Sequence, residues 1–406
     1  MSGTTVLVAA RDEEARIAAT VRRLREAFPG AQVVVADDGS RDGTAAAAES
    51  AGARVLRLPR RGKGQALTLA ERECPPGALL LCDADLDGDL RPLAASGADV
   101  AIAAFTHRTG GGVGLAKGAA RALIALRCGR RTREPLSGQR LVSETARALV
   151  FPVAAGFGVE TRMTIDAVRA GLEVVELDLD LAHRATGRDV RGFAHRGRQL
   201  RDLLLATLVP QGRSFRGLRL PLVGSLVAVG APGVAPVAAL GLVDDLWSGP
   251  ERGFGAHLRG GATTGTLKLV GIPLWALWRT HSLSGAVLVA LSANVMNQLD
   301  TRPGRALKAF LLGSLVVGAD SRGAVAVAVL LAPYDHREMA MLGDAGSNAL
   351  GAVLGLSSVT RLSGPRRIAA IGALAALTLL ADRRSLGALI ESTPGLRAID
   401  SLGRYT

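Results

Sequence analysis

Aromatic residues are scarce, at 3% of a 406-residue chain that holds three Trp and two Tyr. Platforms for stacking nucleic-acid bases are therefore poorly supplied. No nucleic-acid partner is expected, although the net charge of +13 would suit one. An anionic membrane surface accounts for the same charge. Cysteine is also scarce. Cys74, Cys82 and Cys128 make no metal-ligand spacing and no disulfide framework, and read as core thiols in a reducing compartment. The N-terminus, MSGTTVLVAARDEEAR, lacks a basic stretch followed by a long apolar core. No signal peptide is expected, and the first half should stay cytoplasmic. Beyond about residue 217 it is charge that runs short, and Gly, Ala, Leu and Val take over.

What is present in the first half is alternation. VLVAA (6–10), QVVVADD (32–38), ARVLRLP (53–59) and ALLLC (78–82) read as strands. Between them, 15–28, 44–51 and 63–74 read as helices, the first with Ile17, Val21, Leu24 and Phe28 on one face. Strand–helix alternation predicts an α/β, doubly wound, mostly parallel sheet. Ligands of such sheets sit outside the carboxyl ends of the strands. Asp37, Asp38, Asp83 and Asp85 all fall at such ends. Two aspartates spaced as in Asp83-Ala84-Asp85 can hold a hard divalent cation, and the cation a diphosphate. Lys63 lies between Gly62 and Gly64, which allow close backbone approach to a phosphate. The plainer reading of Gly-Lys-Gly is a surface turn.

These strings, VVVADDGSRDGT (33–44), RRGKGQAL (60–67) and LVAARDEEARI (7–17), resemble family 2 inverting glycosyltransferases of the GT-A fold. The resemblance covers about 4–205. It implies that Asp38 accepts from a uracil imide, with Asp37 supporting it or the ribose. Asp83 and Asp85 would hold Mg²⁺ or Mn²⁺. EPLSGQRLV (134–142) and AAGFGVETRMTIDAVRAGLEVVELDLDLAHRATGRD (154–189) are similar to the subgroup of glucosyl-3-phosphoglycerate synthases and polyprenyl-phosphate glycosyltransferases. By that likeness Glu160 is the candidate general base, the alternative being a helix cap. His183 would complete the metal shell. Gln139 and Arg140 would line the acceptor pocket.

Residues 184–219 are strongly basic, with a stripe of Leu200, Leu203, Leu204 and Leu208. That pattern suits a helix lying on an anionic membrane. Apolar segments follow at roughly 219–242, 265–278, 283–299, 306–319, 322–333, 345–360 and 366–381, giving about five to seven expected spans. Acids in apolar surroundings are functional hypotheses by default. Here they are Asp244 and Asp245 in GLVDDLWS, Asp300 with Asn294 and Asn297 at steps of three, and Asp344 in MLGDAGSNALG. Together these strings resemble the polyprenyl-phosphate N-acetylhexosamine-1-phosphate transferases over about 218–381. The likeness implies that Asp344 and the Asp244/Asp245 pair take the metal and lipid phosphate, and that Asn294, Asn297 and Asp300 hold the nucleotide-sugar side. Lys268 would contact phosphate. The sequence departs from that family at Ser248, at Thr301-Arg302-Pro303-Gly304, and in offering only His336 where a histidine-rich loop is usual.

The expected arrangement is a GT-A domain over 1–205, a basic linker over 206–218, a polytopic membrane domain over 219–385 and a tail over 386–406. The expected function is metal-dependent transfer from a nucleotide sugar, a UDP-sugar by resemblance, to polyprenyl phosphate or a related envelope acceptor at the cell membrane. The alternatives are a non-catalytic scaffold that binds lipid phosphate or nucleotide sugar, or a glycosyltransferase whose second domain is vestigial. A nucleotidyltransferase would need a Gly-rich basic loop after the first strand, and that loop is missing.

Overall fold

A computed structural model describes residues 3–105, 115–182, 190–247, 264–318, 321–383 and 385–404. The chain divides into two compact units, Met1–Val209 with Gly217–Arg219, and Pro210–Arg216 with Leu220–Thr406.

The first unit is built on the strands β1 (Thr4–Ala10), β2 (Gln32–Asp38), β3 (Arg54–Leu58), β4 (Ala78–Asp83), β5 (Asp87–Gly88), β6 (Val100–Phe105), β7 (Arg140–Val142), β8 (Val174–Leu179) and β9 (Leu181–Ala182). Seven of them form one sheet in the order β3-β2-β1-β4-β7-β6-β8. Only β7 among these runs antiparallel to its neighbours. The helices are α1 (Glu14–Ala27), α2 (Thr44–Ser50), α3 (Lys63–Glu71), α4 (Arg91–Ala94), α5 (Leu115–Cys128), α6 (Glu144–Val150), α7 (Val159–Arg169) and α8 (Val190–Leu208).

Alternate residues of each buried strand enter different cores. Val6, Val8, Val33, Val35 and Leu80 pack with Ile17, Val21, Leu24 and Phe28 of the α1 segment. Leu7, Val34, Leu79, Leu81 and Ile102 pack with Leu67 and Met163 on the opposite face. Runs of Val and Leu buried on both faces are what a central parallel strand requires. Strand order reverses at β1, which has β2 on one side and β4 on the other. A crevice at such a switch point is where this class of sheet binds ligands. Register places Asp37 opposite Ala10 and Asp83 opposite Ala9, so the two acids reach the same rim on either side of β1. The leucine stripe of α8 divides. Leu203 is buried beside Ala120 and Leu123, while Leu200, Leu204 and Leu208 are exposed.

The second unit is helical. Helix Leu283–Leu299 packs along helix Gly343–Arg361. Glycine permits the approach: a β-carbon on Gly351 would lie 2.5 Å from Ala293 Cα. The segment expected as a span over 219–242 is broken into short turns, Gly224–Leu226, Val227–Gly230 and Pro232–Val234, before helix Ala235–Trp247 begins. Pro232 has no N–H to continue a helix. Against an expectation of five to seven spans, one helix among the described residues is long and apolar enough to cross a membrane, over Gly364–Ala381. The stretch after 385, expected as a tail, forms helices Leu386–Ser392 and Pro394–Ser401. Buried Arg305 holds Asp400 of the latter through bonds of 2.9 and 2.8 Å.

Candidate active site

At the end of β2 both acids are engaged by backbone. Asp37 accepts from the Ser40 N–H at 3.1 Å and from its hydroxyl, fixing the turn into α2. Asp38, 4% exposed, accepts from the N–H groups of Arg61 and Gly62 at 2.7 and 2.9 Å. Burial pushes its carboxyl above the ordinary range, and those two donors pull against it. Asp38 thus anchors the loop that presents Lys63. Gly62 sits at φ +95° just before Lys63 opens α3, a conformation that favours glycine.

Lys63 is the centre of the site. Its Nζ lies 2.6 Å from Asp83 Oδ1 and 2.7 Å from Glu160 Oε1. Burial works against the ammonium, but the two carboxylates outweigh it and hold the group above the ordinary lysine range. Glu160 lies in the first turn of α7, whose N-cap, Gly158, has no side-chain capping bond, and its carboxylate turns to Lys63. Gln139 donates to Asp83 Oδ2 at 3.2 Å and accepts from the Asp83 N–H at 3.0 Å, which fixes the carboxylate's direction. Gly138 gives that carboxylate room, because a β-carbon there would lie 2.7 Å from Asp83 Cγ.

Arg140 is not at the acceptor surface. It is 1% exposed and donates to Ser137 O at 2.7 Å, Thr164 Oγ1 at 2.8 Å and Pro135 O at 3.3 Å. Burial lowers its guanidinium to about 10 against the pull of Glu160, Glu176 and Asp83. Its role in the structure is to shape the segment that carries Gly138 and Gln139.

Asp85 is half-buried, and its carboxylate makes no hydrogen bond or ion pair among the described residues. Burial, and then the nearby Asp85 charge, push the Glu13 carboxyl above its ordinary range against the pull of Arg16. Glu13 is a site neighbour the motifs did not single out. His183 lies outside the described residues. Among those residues no group of three or more His, Cys, Asp and Glu is arranged to hold a metal ion. Asp83 and Asp85 together offer two carboxylates to a cation, one unpartnered and one shared with Lys63. The donor set fits a divalent ion completed by other ligands.

A second cluster forms within the helical unit. Lys268 Nζ is 2.5 Å from Asp244 Oδ2 and also pairs with Asp344. Asn297 Nδ2 reaches Asp344 at 3.5 Å, and Asn297 Oδ1 accepts from the Ser347 hydroxyl at 3.0 Å. Asp245 accepts the N–H groups of Asp344 and Ala345, both at 2.9 Å, at the start of helix Gly343–Arg361. Asp300 ends helix Leu283–Leu299 beside the Gly343 backbone. Four helices thus bring together Asp244, Asp245, Lys268, Asn297, Asp300 and Asp344, but neither Asn294 nor His336. Asn294 donates to Thr378 at 3.1 Å instead. Ser347 joins the cluster without having been expected. His336 instead approaches Ala332 O at 2.6 Å and packs against Gly304.

Residues 5–122 match the family model described as glycosyl transferase family 2. No curated protein matches the sequence. Among solved structures, glucosyl-3-phosphoglycerate synthase from Mycobacterium tuberculosis in complex with Mn²⁺, uridine-diphosphate and phosphoglyceric acid is 26% identical. That match covers 51% of this chain and 77% of the other, with a TM-score of 0.44. The same enzyme with phosphoglyceric acid is 27% identical over 54% of this chain and 86% of that one, with a TM-score of 0.43. With Mg²⁺ and uridine-diphosphate it is 26% identical over 51% and 80%, with a TM-score of 0.42. Carrying a glycosyl transferase family 2 domain in its first unit, the protein is a glycosyltransferase.

Proposed function

We propose that the protein moves a sugar from a UDP-sugar to a phosphorylated lipid acceptor of the polyprenyl phosphate class at a membrane. The observation that carries this reading is the convergence of Asp83, Lys63 and Glu160 at the switch-point rim of a family 2 domain. The diphosphate of the donor would lie over the start of α3, where Lys63 and the helix N-terminus both favour negative charge. A divalent cation, Mg²⁺ or Mn²⁺, would be held by Asp83 and Asp85 and would neutralise the diphosphate. Glu160 would take the proton of an acceptor hydroxyl, where the acceptor has one, as its oxygen displaces UDP from the anomeric carbon. The lipid acceptor is supported by the apolar side chains the helical unit leaves exposed, among them Ile368 at 68% and Leu379 at 64%.

Membranes carrying the protein, given labelled UDP- or GDP-sugars and polyprenyl phosphate, should yield a lipid-linked sugar from the UDP donor with release of UDP. Asp83→Asn and Glu160→Gln should each cut that product by about 10²–10⁴-fold. A GDP-sugar as the sole effective donor, or full activity in Asp83→Asn, would overturn the reading.

The cluster around Lys268 favours a second activity, transfer of a sugar phosphate from the nucleotide sugar to the lipid phosphate. Three carboxylates gathered around one lysine in an apolar helical unit are a functional hypothesis by default. That reaction releases UMP rather than UDP. Asp344→Asn should abolish UMP release and leave UDP release intact. Unchanged UMP release in that variant would make the second cluster structural.

A further inference from the structure

The ammonium of Lys63 touches the two carboxylates that the proposed reaction needs free. It sits 2.6 Å from Asp83 Oδ1 and 2.7 Å from Glu160 Oε1. While it does so, a cation approaching Asp83 meets a positive charge at contact distance. Glu160 Oε1 in the same state already accepts a hydrogen bond from the ammonium, so that oxygen is not open to an acceptor hydroxyl.

The backbone around Lys63 is fixed. Asp38 holds the N–H groups of Arg61 and Gly62. Gly64 packs so tightly that a β-carbon would lie 2.8 Å from Val159 Cγ2 and 3.0 Å from the Ala154 carbonyl carbon. The side chain beyond Cα is the part that can move. The side chain as a whole is 26% exposed. A four-carbon stem carrying a compact charge can swing between partners where a planar guanidinium fork could not. Its alternative partner would be an anion at the N-terminus of α3, within reach of the same stem.

We propose that Lys63 is an exchangeable counter-ion: it holds Asp83 and Glu160 together until the diphosphate of a donor draws it away, which frees both carboxylates at once. This rests on the donor-site reading above and adds an order of events to it. A cation then binds weakly to the donor-free protein and well once the diphosphate has arrived. The acids are kept paired in the resting enzyme, where two unpaired, partly buried charges would be costly.

The test is manganese binding to the full chain, followed by titration calorimetry and by the electron spin resonance of free Mn²⁺, with and without UDP. Lys63→Met should bind Mn²⁺ roughly tenfold tighter than wild type without UDP, since a positive charge in contact with the ligand has gone. UDP should tighten Mn²⁺ binding more in wild type than in Lys63→Met. Lys63→Arg keeps the charge and should not tighten binding. Lys117→Met removes an equal charge from the pair with Glu134 elsewhere in the unit and should change nothing. Should the methionine variant fail to fold, Lys63→Gln, which can still hydrogen-bond both acids, gives the same comparison. Manganese binding lost in Asp83→Asn but no tighter in either neutral Lys63 variant overturns the exchange and leaves the donor site standing. Manganese binding unaffected by Asp83→Asn overturns the donor-site reading itself, and the exchange with it.

Discussion

Gly138 shows how little room the proposed donor rim has. Any side chain at that position would overlap the Asp83 carboxylate. Gly138→Ala must therefore push Asp83 aside, yet it adds only a methyl group to a loop. Transfer should fall about 100-fold, the scale on which a misplacement of roughly 1 Å costs rate. The thermal midpoint should hardly move, and initial rates with melting curves would check both halves of that statement. Glu176 acts on the same loop from behind. It accepts the N–H groups of Arg133 at 2.9 Å and Glu134 at 3.0 Å, and the Thr132 hydroxyl. Burial would raise its carboxyl, but these donors outweigh burial and hold it below the ordinary glutamate range. A depressed folded value means that the stabilisation is present above the ordinary range and is lost as pH falls through the folded value. Glu176→Gln should lower the melting temperature at neutral pH and should flatten its fall towards about pH 4. Parallel acid limbs for variant and wild type would rule that account out. Neither residue was legible as a site residue in the sequence, because each works through what it touches, and a string shows no touching.

At the scale of elements, the legible parts were those with a local cause. Apolar runs ending in acids gave the strands and the rim, since a strand buried on both faces must be apolar throughout. The acids of the second unit stood out because charge is anomalous in an apolar run. Phase was harder. Asn294, Asn297 and Asp300 are spaced by three, and each step turns about 60° around the helix, so the first points away from the last. Asn294 accordingly meets Thr378 while Asn297 meets Asp344. The short β7 was illegible for another reason. It is three residues long and runs antiparallel between β4 and β6, and only its neighbours define it. Arg140 opens it and was expected at the acceptor, yet it is a buried tie for the segment before it. Arg140→Met keeps the volume, strands the Ser137 carbonyl, takes the donor from the Thr164 hydroxyl and leaves the Pro135 carbonyl only the Thr161 hydroxyl at 3.4 Å. Unfolding stability should drop by about 1–3 kcal/mol. Donor KM should rise as Gln139 loses its hold on Asp83. Arg140→Lys should rescue neither, because one ammonium cannot replace the fork. Denaturant midpoints and a split of KM from kcat would test this.

Across the whole chain the two units present different surfaces, and a single substitution type can tell what solvent each meets. Leu126 on α5 of the first unit is 76% exposed. Leu379, on the helix long enough to span a membrane, is 64% exposed. Isolated exposed leucines are ordinary on a protein in water. The helical unit differs in degree, with Trp278, Leu283, Leu315, Val316, Leu330 and Ile368 all at least 63% exposed. A soluble surface with that much apolar area marks a binding or membrane face. If water bathes Leu379, Leu379→Lys should be neutral for stability and should improve solubility. If lipid bathes it, the same change should cost up to about 3 kcal/mol. The expected outcome is that Leu126→Lys behaves like wild type. Leu379→Lys should lose membrane-fraction yield and melt earlier in detergent. The pair controls for the lysine itself, because both replacements add one charge at a helix residue of similar exposure. Equal behaviour of the two variants would place both units in water and would remove the support for a lipid acceptor, while the donor rim of the first unit would stand unchanged.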